Sequence, residues 1–155
     1  MWEPNNEFIK VLNTAKIPFS IIEKSNADIV FDFLLNKFAS KKKRDSRLFE
    51  VLADCSAISY FQSHEFLFDF PSKGEVYVFF DFRYTEVLFK LSSFSDVINA
   101  WNECANFSFY IVDTNFEYLL SLTEEGSIVG CGTAADWIDH LYVSGSLIAS
   151  QAGIV

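Results

Sequence analysis

Methionine occurs once, proline three times and glycine six times among these 155 residues. So little Pro and Gly excludes a low-complexity or disordered chain, and a single Met excludes the pliable Met-lined groove of a promiscuous binder. No apolar run in the sequence approaches the roughly 20 residues that span a bilayer, so no membrane association is expected. The first ten residues carry Glu3, Pro4 and Glu7 where a secretion signal needs a basic start and an apolar stretch. A cytoplasmic location is the expectation.

Histidine is nearly as scarce. His64 and His140 stand alone, in no His-Glu-x-x-His pair, and no Cys-x-x-Cys occurs. Metal-ligand spacing is therefore missing. No metal, cofactor or catalytic residue is expected. His64, beside Glu65, reads as an exposed strand-edge residue, and His140 as a helix-end residue facing the C-terminal dipole. The three cysteines, Cys55, Cys104 and Cys131, are an odd set widely spaced in apolar runs. They read as buried free thiols rather than as a disulfide framework.

Basic residues are scarce in one part only. Residues 1–56 hold nine Lys/Arg against eight Asp/Glu, whereas residues 57–155 hold three against 13, out of a net charge of −9. Such an acidic surface repels phosphate backbones and attracts a basic protein. A basic protein partner is expected, and nucleic acid is not. The basic run Lys41–Arg44 with Arg47 reads as a solvated loop, since the chain's pI lies near 4.6 and nucleic-acid domains are usually basic.

What is abundant is aromatic and apolar: half the residues are hydrophobic and 18 are Phe. A chain of this length buries one substantial core, and the expectation is a single domain over 1–155. It divides into a helical part at 1–56, an acidic sheet-rich part at 57–143 and a weakly patterned tail at 144–155.

Apolar spacing predicts a helix from Asn5 to about Lys16, capped by Asn5 or Asn6 and closed by Pro18. A short extended piece follows at Phe19–Glu23. A second helix starts at Ser25 or Asn26, its apolar stripe reading Ile29, Val30, Phe33, Leu34 and Phe38. A third short helix is expected from Asp45 or Ser46 to Asp54. Then the period turns strand-like, in Ala57–Phe61, Glu65–Phe70, Glu75–Phe82 and Glu86–Leu91. The nearly unbroken apolar run of Glu75–Phe82 implies a strand covered on both faces.

Ser93 or Ser95 caps a helix through Val97, Ile98, Trp101 and Cys104. Phe107–Val112 is a strand, and Tyr118–Leu122 and Ser127–Cys131 form a hairpin across Thr123–Gly126. Thr133–Asp136 reads as a capping box opening a closing helix through Trp137, Ile138 and Leu141. The fold class is α+β, with a mainly antiparallel sheet of about five or six strands and Trp101 and Trp137 packed on it.

Two constellations suggest catalysis and are outweighed by plainer readings. Cys131 and His140 are nine positions apart and nothing requires them to meet as nucleophile and base; Cys131 reads as a core thiol. Gly130–Ala135 lacks the third glycine and the following βαβ unit of a dinucleotide loop, so its glycines read as permitting a tight turn. The candidate partner-binding residues are acidic. Asp113, Glu117, Glu124 and Glu125 fall near the ends of the last strands, and Asp136 and Asp139 on the final helix. Asp81, Glu86 and Asp96 lie around the earlier hairpin.

The stretch Asn106–Ser121, followed by Ser127-Ile-Val-Gly-Cys-Gly-Thr-Ala-Ala-Asp-Trp137, resembles the C-terminal part of small bacterial immunity proteins. These belong to contact-dependent-inhibition and polymorphic-toxin systems, including the SUKH group. The likeness covers about one fifth of the chain. It implies a cytoplasmic α+β inhibitor of one cognate toxin domain, often a nuclease. It implies no particular site residue, because such proteins differ most where they touch their toxins. The expected function is therefore an immunity-type protein that occludes a basic active site with carboxylates and aromatic anchors. The alternatives are a non-catalytic adaptor or scaffold domain and, after that, an enzyme of unrecognised chemistry.

Overall fold

Pro4 starts the first helix because its fixed φ suits a helical first turn and its missing N–H has no partner to lose. In the computed structural model, which describes residues 3–39, 52–59, 65–80, 87–104, 107–124 and 126–144, α1 runs Pro4–Ala15. Its N-cap is Glu3, not Asn5 or Asn6; those amides instead donate to the Glu3 carboxylate at 3.3 and 3.4 Å. The stop comes before Pro18, at Lys16, whose φ of 58° turns the chain left-handed while the Ile17 N–H returns to the Leu12 carbonyl (2.9 Å).

β1 (Phe19–Ile22) leads into α2 (Lys24–Phe38). Glu23, rather than Ser25 or Asn26, is the N-cap, and its carbonyl accepts from the Ala27 N–H at 2.9 Å. Leu52 bridges Ala39 and the Ala53 N–H donates to the Phe38 carbonyl (2.8 Å), so the third helix expected through Asp54 does not reach residues 52–54. The rest of that helix, Lys41–Arg44, Arg47, Glu50, His64, Asp81, Arg83–Glu86, Glu125 and the tail from 145 lie outside the described residues.

β2 (Cys55–Ser59) is followed by a 3-10 helix at Glu65–Asp69, where alternation had suggested a strand. Leu67 and Phe70 are both buried, three residues apart, which is the 3-10 period. Phe70 then meets Phe94, Tyr118 and Trp137 at ring distances of 5.2, 4.8 and 5.0 Å. β3 (Val76–Phe79), β4 (Leu88–Leu91), α3 (Phe94–Trp101), β5 (Phe109–Asp113), β6 (Tyr118–Leu122), β7 (Ser127–Gly132) and α4 (Thr133–Ser144) complete the described order. Of the two serines, Ser93 caps α3, accepting from the Asp96 N–H at 3.2 Å. Thr133 is the first residue of α4 rather than its cap; its N–H donates to the Glu117 carbonyl (3.0 Å).

The seven strands make one sheet, ordered β1-β4-β3-β5-β6-β7-β2 and antiparallel at every pairing. The fold is α+β, with slightly more strands than expected because the short β1 and β2 dock as the outermost two. Both faces are covered, as the Glu75–Phe82 run implied. One face packs under α1, α3 and α4, around Phe8, Val78, Phe80, Phe89, Phe109, Ile111, Leu120 and Ile138. Trp101 and Trp137 are partly buried against that cluster. The other face packs under α2, joining Phe31, Leu34 and Phe38 to Phe79, Tyr110, Val112, Leu119 and Cys131.

The α2 stripe is rotated from its expected position. Ala27, Phe31, Leu34, Leu35 and Phe38 are buried, whereas Ile29 and Phe33 are 68% and 53% exposed. Helix α2 carries apolar residues on more than one stripe, and only one can face the sheet.

A candidate partner-binding surface on α2 and the β5–β6 turn

The turn joining β5 to β6 is built by a buried carboxylate. Asp113 is 6% exposed, and its Oδ1 accepts from the N–H groups of Glu117 (2.7 Å) and Tyr118 (3.1 Å). Two orphan donors at a chain reversal are thereby satisfied. Asp113 thus shapes the turn and presents little charge to a partner. Replacing it with alanine is expected to cost about 2 kcal/mol, because both donors lose a charged acceptor. Asparagine should restore part of that, since its side-chain oxygen still accepts. Urea denaturation of the two variants measures the difference; equal losses would contradict this role.

This turn holds Phe116 at a φ of 56°, a left-handed conformation that costs a bulky residue about 1–3 kcal/mol. The Phe116 N–H donates to the Asp113 carbonyl at 3.0 Å, and its own carbonyl accepts from Lys37 Nζ of α2. The ring lies 4.4 Å from that of Phe33 and 6.4 Å from that of Tyr77. Phe33, Phe116 and, one helical turn back, Ile29 form an apolar patch. The exposed carboxyl-bearing residues Asp32 and Glu117 are the chain neighbours of its two rings.

The acidic residues expected to form one set are dispersed. Glu117 immediately precedes β6 and Glu124 lies beyond its other end, so the whole strand, about 17 Å for five residues, stands between them. Glu124 is exposed, and its N–H donates to Ser108 Oγ (3.2 Å). Asp136 and Asp139 are exposed on α4, three residues apart and so on one helix face. Asp139 accepts from Ser56 Oγ of β2 at 2.5 Å. The junction of β7 and α4 brings the first turn of α4 to the Glu117 end of the sheet, through the Thr133 to Glu117 hydrogen bond. Glu117, Asp136 and Asp139 therefore stand nearer that end, and Glu124 at the other.

Reading the sequence missed Ile29, Phe33 and Phe116. A signal was present for the first two, since α2 has more apolar residues than one stripe accommodates. None was present for Phe116, whose place beside Phe33 depends on the turn that Asp113 closes.

Among the described residues, the nucleophile and base candidates Cys131 and His140 do not converge. Cys131 belongs to the core on the α2 side of the sheet and His140 is exposed on α4, on the opposite side. A groove of about 680 Å³ between α1 and α3 is lined by Glu7, Lys10, Val11, Thr14, Asn99 and Glu103 among others. Beside it, burial and then the Glu7 and Glu103 charges push the Cys104 thiol up to about 12, so it stays protonated at neutral pH. Among the described residues no group of three or more His, Cys, Asp or Glu is placed to hold a metal ion. No helix among them is long and apolar enough to cross a membrane. Comparison with family models, with curated proteins and with solved structures finds no match.

Proposed function

We propose that this chain is a cytoplasmic immunity-type protein that binds and neutralises a cognate basic toxin domain by occluding its active site, and that it performs no catalysis itself. The observation that supports this reading is the patch of exposed Ile29 and Phe33 with the partly buried Phe116, and with Asp32 and Glu117 at its side. A half-exposed Phe33 ring on a helix, backed by the partly buried Phe116, is the kind of aromatic anchor around which interface energy concentrates. The surrounding carboxylates and the net charge of −9 favour approach of a cationic surface. The strained φ at Phe116 fits a side chain held in place for contact. The direct test is growth protection: cells expressing a toxin domain encoded beside this chain should survive when the chain is co-expressed and not otherwise. Survival should disappear with Phe33→Ala combined with Glu117→Lys.

Kinetics with the purified toxin domain separate the two contributions. Neutralising Glu117, Asp136 and Asp139 should act on the association rate, which should itself fall about tenfold or more from low to high salt. Phe33→Ala should act on dissociation, accelerating it roughly 30-fold, the effect of a central anchor worth about 2 kcal/mol. A salt-independent association rate in stopped-flow or surface-resonance measurements would remove the charge argument.

A further inference from the structure

Cys55 and Cys131 are directly opposed residues of the antiparallel β2–β7 pair. Directly opposed side chains leave a sheet on the same face with Cβ atoms about 4.5–5.5 Å apart. The Cα separations of such pairs, about 4.5–5.5 Å, fall within the range a disulfide spans, and its Cβ separation of about 3.5–4.5 Å requires the two strands to draw together by up to about 1 Å. Cys55 is exposed and Cys131 buried, and both are free thiols; the Cys55 thiol is near enough to perturb that of Cys131. Cys55 thus departs from the expectation that all three cysteines are buried. β2 is the terminal strand of the sheet, and its described pairing is with β7 alone. Cys104, by contrast, packs on the α1–α3 side of the sheet while Cys131 packs on the α2 side.

From this placement we propose that Cys55 and Cys131 form a reversible cross-strand disulfide, a modification site whose reactant is a small-molecule disulfide of the glutathione type. In the first step the Cys55 thiolate attacks one sulfur of the reagent. A mixed disulfide forms on Cys55 and one small thiolate leaves, taking a proton from solvent. In the second step Cys131 gives its proton to solvent and attacks the Cys55 sulfur. The protein S–S bond closes and the second small thiol departs. Two protein thiols are oxidised by two electrons, and one reagent disulfide is reduced to two thiols. Access assigns the first step to Cys55. Burial, and then the neighbouring Cys55 and Asp54, push the Cys131 thiol up to about 12, so the second step is the slow one.

The bond staples the outermost strand to its neighbour and closes a loop of roughly 75 residues in the unfolded chain. The inference is independent of the partner reading. Its test is incubation of the full chain with oxidised glutathione at pH 8, followed by alkylation and peptide mass spectrometry. Two thiols should be lost and Cys104 should remain free. The linked peptides should be those containing Cys55 and Cys131. The melting temperature should rise by roughly 5 °C or more, and dithiothreitol should reverse both changes. Cys104→Ser should behave as the parent. Cys55→Ser, at an exposed position that a folded chain tolerates, should show neither link nor shift. A lasting glutathione adduct on Cys55, a bond through Cys104 or a covalent dimer through Cys55 would each overturn the proposal.

Discussion

Alanine at Gly132 is expected to destabilise the protein by about 3 kcal/mol or more, as a fall in the urea midpoint with an unchanged slope. Gly132 has a φ of +64°, and a Cβ there would lie 2.2 Å from the carbonyl oxygen of Glu117. The left-handed conformation alone costs a non-glycine residue about 1 kcal/mol. The larger part comes from the contact, because the opposing atom is backbone and cannot swing away. That same oxygen accepts the Thr133 N–H at 3.0 Å, so relief of the clash pulls on the start of α4 and on the turn carrying Phe116. Gly126 is the control: its φ is +88° and nothing lies within 4 Å of a Cβ built there. Gly126→Ala should therefore cost only the conformational part. Equal midpoints for the two variants would show that the close approach to Glu117 does not matter.

The second large effect is expected from Phe8→Ala, at about 3–5 kcal/mol. Phe8 is fully buried, and its ring meets Phe80, Phe89 and Phe109 edge-on at 5.3, 5.0 and 5.3 Å. Truncation removes burial of a large apolar side chain and three edge-to-face contacts, and leaves a cavity that three rigid rings cannot collapse into. Phe33→Ala supplies the contrast. Its ring is about half exposed, so its loss should cost about 1 kcal/mol of stability or less. If Phe8→Ala proves as mild as Phe33→Ala by urea denaturation, the aromatic cluster is not what fastens α1 to the sheet.

Local signals located most elements and some of their ends. Ser93 caps α3 because a serine hydroxyl reaches an N–H three residues on without help from the rest of the chain. The Thr123–Gly126 turn follows from chemistry equally local, with Gly126 at positive φ and its N–H on the Thr123 carbonyl at 3.1 Å. Burial of both faces of β3 was legible because apolar residues at successive strand positions point to opposite sides. Where two local solutions competed, the pattern misled. Glu65–Phe70 has strand-forming residues, yet docking of Leu67 and Phe70 into one cluster closes it as a 3-10 turn. Asn5 and Asn6 are good caps, yet Pro4 already occupies the first helical position.

The candidate surface divides in the same way. Residue types and charge by themselves determined an α+β chain, apolar helices over a largely antiparallel sheet, and an acidic second part in which Glu117, Asp136 and Asp139 are surface residues. Only tertiary structure decided that Asp113 is spent inside a turn, that Glu124 stands at the far end of β6, and that Ile29 and Phe33 face outward. It alone set Cys55 opposite Cys131. The physical reason is that helical and strand periods, caps and turns arise from neighbours a few residues apart. Which of two apolar stripes is buried, and which distant strands pair in which register, depends on packing between segments far apart in the chain, where no local period carries the information.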